Sequence, residues 1–144
     1  MTDATARWLI DMCLPRGDYG ALDAVHVSEF SRLPGPAGLR EAMEMDRTLV
    51  TCSDGFLGPC SLAMEHPGVV VFEDPPTDSA EVARNLDHLA FRVGQYRGSL
   101  DLACNRFLIR ADRGLFILGP QGEAVPLEPW RAVRMKRQLA AAAV

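Results

Sequence analysis

The sequence lacks long uninterrupted hydrophobic segments. No stretch approaches the roughly 18 consecutive apolar residues that a membrane-spanning helix requires. Residues 1–7 also lack the basic patch followed by an apolar run that marks a secretion signal. The sequence therefore predicts a protein without a membrane span, and we expect a cytoplasmic location.

Signature motifs of common enzyme classes are also missing. The sequence contains no Gly-rich phosphate loop, no Gly-x-Ser-x-Gly elbow, no His-Glu-x-x-His and no dinucleotide fingerprint. The four cysteines form no Cys-x-x-Cys pair, which argues against a zinc knuckle. We therefore predict no cofactor, no metal site and free, mostly buried thiols, with a Cys52–Cys60 disulfide as the alternative in an oxidising compartment.

The overall composition is that of an ordinary globular domain. The chain has 144 residues, of which 48% are hydrophobic and 24% are charged. A chain of this length buries enough surface to fold without disulfides or metals. We expect a single domain over residues 1–144.

The charge is unevenly distributed along the chain. The net charge of −4 divides into −9 for residues 1–83, which hold 5 basic and 14 acidic side chains, and +5 for residues 84–144, which hold 10 and 5. The net negative charge and the scarcity of aromatic residues between the basic ones make nucleic acid an improbable partner. The division predicts pairing between an acidic helical layer and a basic sheet, or self-association into a homo-oligomer.

The first third of the chain, about residues 3–47, predicts a layer of three short helices. The first begins at Asp3, a suitable N-cap, and the others begin near Asp18 and Pro36. The apolar face of the first helix recurs at helical spacing at Trp8, Leu9, Met12 and Cys13.

Strand-like runs separated by Gly, Pro and Asp follow over about residues 48–127, among them residues 48–52, 69–73 and 115–118. A short helix starting at Asp78 interrupts them, and in residues 88–93 Leu89, Phe91 and Val93 alternate with His88, Ala90 and Arg92 as in a strand with one buried face. Pro126 predicts an edge strand, and residues 128–144 predict a basic helical tail. This order indicates an α+β fold, with N-terminal helices packed on a curved, mainly antiparallel sheet and a C-terminal helical tail.

A few residues are candidates for chemistry or binding. His88 has the side-chain type suited to acid/base work near neutral pH, and a carboxylate from another strand, Glu73 or Asp101, is its candidate partner. His26 is interpreted as a packing residue. The candidate ligand-binding side chains are aromatic: Phe91, Tyr96 and Trp8. The candidate interface residues are on the tail: Trp130, Arg131, Arg134 and Met135.

Two local patterns resemble known families. Residues 16–23, with Phe30 and residues 35–41, resemble the opening of nuclear-transport-factor-2-like proteins of the polyketide-cyclase type, and residues 107–114 and 137–139 are similar to that family's later hairpin and C-terminus. This resemblance implies helices covering a curved sheet that encloses a central pocket.

Residues 87–93 resemble instead the first strand of a vicinal-oxygen-chelate, glyoxalase-like module, with residues 22–27 as its repeat and residues 119–122 as its late turn. In that family His88 would be a metal ligand, but the expected glutamate ligand falls on Pro126.

These patterns lead to three functional hypotheses. The first is a domain that binds a small hydrophobic molecule in an apolar pocket, with acid/base catalysis by His88. The second is a non-enzymatic protein-interaction or self-assembly module that uses its charge-polarised surface and tail. The third is a glyoxalase-like metal-dependent module. Whether the chain is an enzyme stays open at this point.

Overall fold

Seven short strands form one sheet in a computed structural model that describes residues 6–29, 38–59, 65–110 and 114–127. In chain order, the strands are β1 Arg7–Ile10, β2 Asp23–His26, β3 Thr48–Thr51, β4 Val69–Phe72, β5 Arg106–Ile109, β6 Leu115–Leu118 and β7 Ala124–Pro126. The described part of the chain also contains two α-helices, α1 Leu39–Met45 and α2 Ser79–Gly94, and two 3-10 turns, Val27–Glu29 and Asp54–Phe56.

The sheet is mixed, and its larger part is parallel. Its strand order is β2-β1-β3-β4-β5-β6-β7. The first four pairings, from β2 through β5, are parallel, and β6 and β7 add antiparallel strands at one edge. Since parallel strands point the same way, the carboxyl ends of β1 to β5 lie along one edge of the sheet.

The central strands are short apolar runs that are buried on both faces. All four residues of β3, of β4 and of β5 are buried, as are the last three of β1. Such runs rich in Val, Ile and Leu are typical of parallel sheets with both faces covered. The predicted strands at residues 48–52 and 69–73, the Leu115–Leu118 strand and the edge strand containing Pro126 are confirmed.

Helix α2 covers one face of the sheet. Asp78 caps its N-terminus by accepting a hydrogen bond from the backbone N–H of Ala80 over 3.0 Å. Its buried apolar residues recur at helical spacing at Val82, Leu86, Leu89 and Val93. These side chains join Trp8, Ile10, Val70, Phe72 and Phe107 in one core cluster.

Helix α1 and the Val27–Glu29 turn cover the opposite face. Ala42 and Val27 are buried in a second core cluster with Leu9, Leu49, Val69 and Val71. The sheet therefore lies between two apolar layers, and the two α-helices lie on opposite faces of it.

The chain combines helices with a sheet, but the predicted fold class is wrong in its arrangement. The N-terminal helical layer at residues 3–47 is wrong, because the described residues of this region, 6–29 and 38–47, contain β1 and β2 and a single α-helix, α1. The mainly antiparallel sheet is wrong because four of its six pairings are parallel. The contrast between an acidic helical layer and a basic sheet is wrong as well, since both halves of the chain supply strands to the same sheet.

The predicted strand at residues 88–93 is also wrong, because this segment continues α2 from the correctly predicted cap at Asp78. Leu89 and Val93 are buried four residues apart, whereas Phe91 between them is 63% exposed. The predicted tail, residues 128–144, lies outside the described residues. No helix in the described ranges is long and apolar enough to cross a membrane.

Candidate functional site

The structure does not bring the predicted catalytic residues together. His88 lies on α2, where Arg92 Nε donates to His88 Nε2 over 3.2 Å. Glu73 follows β4 and faces Arg110, whose Nε lies 3.6 Å from Glu73 Oε2. Asp101 is exposed in the segment before β5. Within the described ranges, no hydrogen bond joins His88 to either carboxylate.

The environment of His88 favours its uncharged form. Burial, followed by the positive charge of Arg92, lowers the pKa of His88 below its ordinary value, while Asp87 acts in the opposite direction. His88 Nε2 accepts a hydrogen bond from Arg92 Nε, and neither Glu73 nor Asp101 is hydrogen-bonded to the ring in the described structure. This arrangement makes His88 a poor general acid at neutral pH.

His88 and Phe91 do share one surface groove. The groove has a volume of about 610 Å³ and is lined by His88, Phe91, Arg92, Gly94, Gln95 and Arg97. Gln95 Oε1 is buried and finds no hydrogen-bond partner among the described residues. The groove thus combines an exposed ring with two guanidinium groups.

The other predicted binding residues lie elsewhere. Tyr96 is half-buried and packs against the core beneath α2. Trp8 is fully buried in β1, and its indole Nε1 finds no partner in the described part of the chain, so it is a core residue rather than part of an open site. The predicted interface residues Trp130, Arg131, Arg134 and Met135 lie outside the described residues.

The strand order places a topological switch point between β1 and β3. The connection after β1 runs to β2 on one side, whereas the connection after β3 runs to β4 on the other side. In open parallel sheets, ligands bind beyond the carboxyl ends of the strands at such a switch point. We therefore expect a ligand-binding site among the residues that follow β1 and β3.

A buried carboxylate lies at this switch point. Asp11 follows β1, is 1% exposed and continues the ladder through its backbone N–H, which donates to Val50 O over 2.9 Å. Thr51, the last residue of β3, is fully buried and donates its hydroxyl to Asp11 Oδ2 over 2.6 Å. Asp11 Oδ1 accepts from the backbone N–H of Met12 over 2.7 Å. These contacts fix the orientation of the carboxylate between the two strands.

The chain beyond Thr51 presents further oxygen atoms. The Thr51 hydroxyl accepts from the Ser53 backbone N–H over 3.2 Å, and Ser53 Oγ caps the short 3-10 turn that begins at Asp54. Ser53 and Asp54 are both exposed. We call Asp11, Cys13 and residues 51–54 the switch-point site.

Arg106 holds the loop that follows this site. Its guanidinium is buried at the start of β5, where Nη1 donates to the carbonyls of Phe56 and Gly58 over 2.7 and 2.8 Å. Nη2 donates to Gly119 O, at the β6–β7 turn, over 2.6 Å. The turn also lies directly on the loop, since a Cβ on Gly122 would collide with the backbone of Gly58. The loop carrying Asp54 is thus attached to the antiparallel edge of the sheet.

His26 supports the other side of the site. It is buried at the end of β2, as its interpretation as a packing residue predicts. Its Nε2 lies 3.0 Å from Leu14 O and its Nδ1 lies 2.8 Å from Ser28 Oγ. Since a carbonyl only accepts, Nε2 carries the proton. The ring therefore positions the segment between Asp11 and Leu14.

A disulfide joins the two halves of the switch-point site. Cys13 and Cys52 are bonded, with their Cα atoms 6.3 Å apart. The default prediction of free thiols is therefore wrong for these two cysteines, and Cys52 is paired with Cys13 rather than with Cys60. Cys104 is exposed and outside the disulfide.

Sequence reasoning missed Asp11, Thr51 and the pairing of Cys13 with Cys52. The available signal was local: polar residues directly follow two short apolar runs, at residues 8–10 and 49–50. That signal depends on reading both runs as parallel strands, and the first was interpreted as a helix. The register that places Asp11 beside Thr51 is a property of the folded sheet.

In the part of the chain that the structure describes, no three His, Cys, Asp or Glu side chains are grouped to hold a metal by themselves. Comparisons of the chain with protein-family models, with curated proteins and with solved structures find no match. Both family resemblances therefore stay predictions, and the function has to be inferred from the geometry of the chain itself.

Proposed function

We propose that the switch-point site binds a divalent cation together with a small anionic molecule. The observation that carries this proposal is the buried Asp11 carboxylate, which Thr51 orients at the carboxyl ends of two parallel strands. A parallel sheet of this strand order offers its ligand site at this position.

The chemistry of the site selects the cation. Its side chains supply oxygen acceptors from two carboxylates, those of Asp11 and Asp54, and from two hydroxyls, those of Thr51 and Ser53. Mg²⁺ and related hard cations prefer oxygen ligands and are commonly held by one or two carboxylates, with substrate oxygens and water completing the shell. An anion reaches these carboxylates only through such a cation.

Hydrolysis of a phosphate ester is the reaction that we propose for the bound pair. A divalent cation polarises a phosphoryl oxygen and lowers the pKa of a bound water, so it supplies both the electrophile and the nucleophile. The residues of the chain bind and orient the cation. In this proposal Asp11 replaces His88 at the chemical centre, the ligand is polar rather than hydrophobic, and a cation enters where the sequence predicted no metal.

The first experiment measures Mn²⁺ binding by electron paramagnetic resonance, followed by Mn²⁺-dependent hydrolysis of p-nitrophenyl phosphate. We expect Asp11→Asn to abolish binding while keeping an acceptor for Thr51, and we expect Asp54→Asn, at an exposed position, to weaken it. Asp101→Asn is the matched control, because Asp101 is exposed before β5 at the opposite edge. Equal Mn²⁺ binding by the wild type and both site variants would refute the proposal.

The groove on α2 supports a second candidate function, non-catalytic binding of a small anionic aromatic molecule. Phe91 offers an exposed ring, and Arg92 and Arg97 offer positive charge. The probe is 8-anilinonaphthalene-1-sulfonate, whose fluorescence increases in apolar surroundings. Phe91→Ala and Arg97→Gln should each reduce the signal, and Arg40→Gln on α1 should not. A signal unchanged in both groove variants would count against this role.

The remaining expectations from the sequence also stay proposals. We propose a cytoplasmic location and assembly into a homo-oligomer through the tail at residues 128–144. Deleting the tail and measuring the mass in solution tests the assembly, and an unchanged mass would contradict it.

A further inference from the structure

The Cys13–Cys52 disulfide spans the same two strand ends that form the switch-point site. Cys13 is two residues beyond Asp11, and Cys52 directly follows Thr51. The two cysteines are 39 residues apart in sequence, and the bond ties the connection after β1 to the connection after β3. At a switch point the connections after β1 and β3 run in opposite directions along the sheet. The disulfide therefore links covalently two segments that otherwise diverge.

The disulfide is open to solvent reductants. Cys13 is exposed and Cys52 is half-buried, in contrast with the fully buried residues Thr51 and Asp11 beside them. Thiol–disulfide exchange requires a thiolate to approach one sulfur atom, and exposed disulfides are the reducible ones. Cys13 is the more exposed of the two residues and is the expected target.

The sulfur atom of Cys13 is also in contact with Thr51, which holds Asp11. Cys13 Sγ lies 3.9 Å from Thr51 Oγ1, the hydroxyl that donates to Asp11 Oδ2. The backbone N–H of Cys52 donates to Cys13 Sγ over 3.1 Å. A movement of Cys13 therefore changes the surroundings of Thr51, whose hydroxyl contacts the Asp11 carboxylate.

We infer that Cys13 and Cys52 form a reversible redox-modification site that controls the geometry around Asp11. Reduction consumes a dithiol: its thiolate attacks Cys13 Sγ, the bond to Cys52 breaks, and Cys52 leaves as a thiolate that takes up a proton. The second thiol of the reductant then attacks the mixed disulfide and releases Cys13 as a thiol. Two electrons and two protons pass to the protein, and the reductant becomes a disulfide. A disulfide oxidant reverses the reaction.

The oxidised form holds the two connections together and so preorganises the site. In the reduced form, the Asp11–Thr51 hydrogen bond and the ladder bond to Val50 O continue to join them, without the covalent link. Preorganised sites bind more tightly because less ordering accompanies binding. The effect on cation affinity rests on the proposed function, and we expect reduction to weaken Mn²⁺ binding by about fivefold or more.

The experiment equilibrates the full chain in buffers of reduced and oxidised dithiothreitol, alkylates the free thiols and maps the peptides by mass spectrometry. Amide hydrogen exchange is measured in both states. We expect a Cys13–Cys52 bond that forms and breaks reversibly, and exchange in residues 11–14 and 51–54 that is at least about fivefold faster after reduction. Residues 106–109 and 115–118 should exchange equally in both states.

Two variants separate this inference from a general loss of stability. The pair Cys13→Ser with Cys52→Ser should reproduce the reduced state under all conditions, and Cys104→Ser should behave as the wild type. A Cys52–Cys60 bond, a bond that resists dithiothreitol, or equal exchange in both states would overturn the inference. Mn²⁺ binding of equal strength in both states would refute the inference that the disulfide controls cation affinity, and it would not contradict the proposed function. A lack of Mn²⁺ binding in both states would refute the proposed function, and the exchange data alone would then decide the redox control of geometry.

Discussion

Thr51 donates its hydroxyl hydrogen to Asp11 Oδ2 over 2.6 Å, and both side chains are buried at the ends of neighbouring parallel strands. The two residues are 40 positions apart in sequence. A carboxylate at this depth depends on hydrogen bonds for its stability, because burial removes it from water. The pair therefore contributes both to the fold and to the orientation of the proposed site.

Replacing Thr51 with Val should destabilise the protein by about 2 kcal/mol, since a hydrogen bond to a charged acceptor is lost and Asp11 stays buried. Urea unfolding followed by circular dichroism measures the free energy of unfolding. Thr48→Val is the matched control: Thr48 is also buried in β3, but its hydroxyl donates to the uncharged Pro67 O over 2.8 Å. We expect a cost of about 1 kcal/mol there, and equal costs would contradict the special role of Thr51.

Arg106→Lys should cost about 2–4 kcal/mol, because a lysine cannot reach the carbonyls of Phe56, Gly58 and Gly119 together and leaves buried acceptors unsatisfied. The substitution should also speed hydrogen exchange in residues 53–59. Arg110→Lys provides the comparison. Arg110 is partly exposed beside Glu73 and over the Phe116 ring, and we expect a cost of about 1 kcal/mol or less. A loss in the Arg106 variant as small as that in the Arg110 variant would indicate that Arg106 acts only through its charge, which lysine keeps.

Gly68→Ala should destabilise the protein by about 3 kcal/mol or more. Gly68 has a φ of +104°, and a Cβ there would collide with the carbonyl of Leu102 just before β5. Gly20→Ala tests the conformational part alone, since Gly20 has a φ of +66° and no atom within 4 Å of the added carbon. We expect about 1 kcal/mol for Gly20. Thermal unfolding measures the stability of both variants. Equal losses in the Gly68 and Gly20 variants would contradict the collision with Leu102.

Stability should fall as the pH decreases below 6.5. Burial, and then the positive charge of Arg106, lower the pKa of His66 in the folded protein. The unfolded chain keeps the ordinary pKa of 6.5 and binds the proton first, so acid favours unfolding. The uncharged ring is also the form whose Nδ1 accepts from the Gly68 backbone N–H over 3.1 Å.

His66→Asn, which keeps an acceptor near that N–H, should flatten this pH dependence. The measurement is urea unfolding at several pH values between 7.5 and 5. The pKa of His88 is lowered too, so His88→Gln measures the share of the second histidine. An unchanged slope in the His66 variant would show that His66 does not carry the effect.

The sequence allowed the later strands to be predicted, because each is a short apolar or β-branched run between turn residues. Leu115–Leu118 and the Pro126 edge strand are examples. The first strand was mistaken for a helix because Trp8, Leu9 and Ile10 are buried on both faces and show no alternation. A run of this kind has no hydrophobic period of its own, so the helical spacing that it forms with Met12 and Cys13 was assigned to it.

The error in α2 has the opposite origin. Over the six residues 88–93, the large apolar side chains of Leu89, Phe91 and Val93 alternate by chance with His88, Ala90 and Arg92. Only the whole helix shows that Val82 and Leu86 share a face with Leu89 and Val93, while Phe91 is on the outside. The candidate site could not be predicted from the sequence for a further reason. It is built from contacts, such as that of Asp11 with Thr51, that depend on the order of the strands.

The contact of Gly122 with Gly58 has a practical consequence for anyone who engineers this protein. The turn at residues 119–122 looks like a convenient place for a dye, a tag or an inserted loop, because it leads from β6 into the exposed edge strand β7. Its backbone is pressed against the loop that Arg106 secures and that begins at Asp54. A bulky attachment there would displace the loop and so disturb the proposed cation site, although the turn lies at the far edge of the sheet. A label placed there to observe the site would therefore change the site.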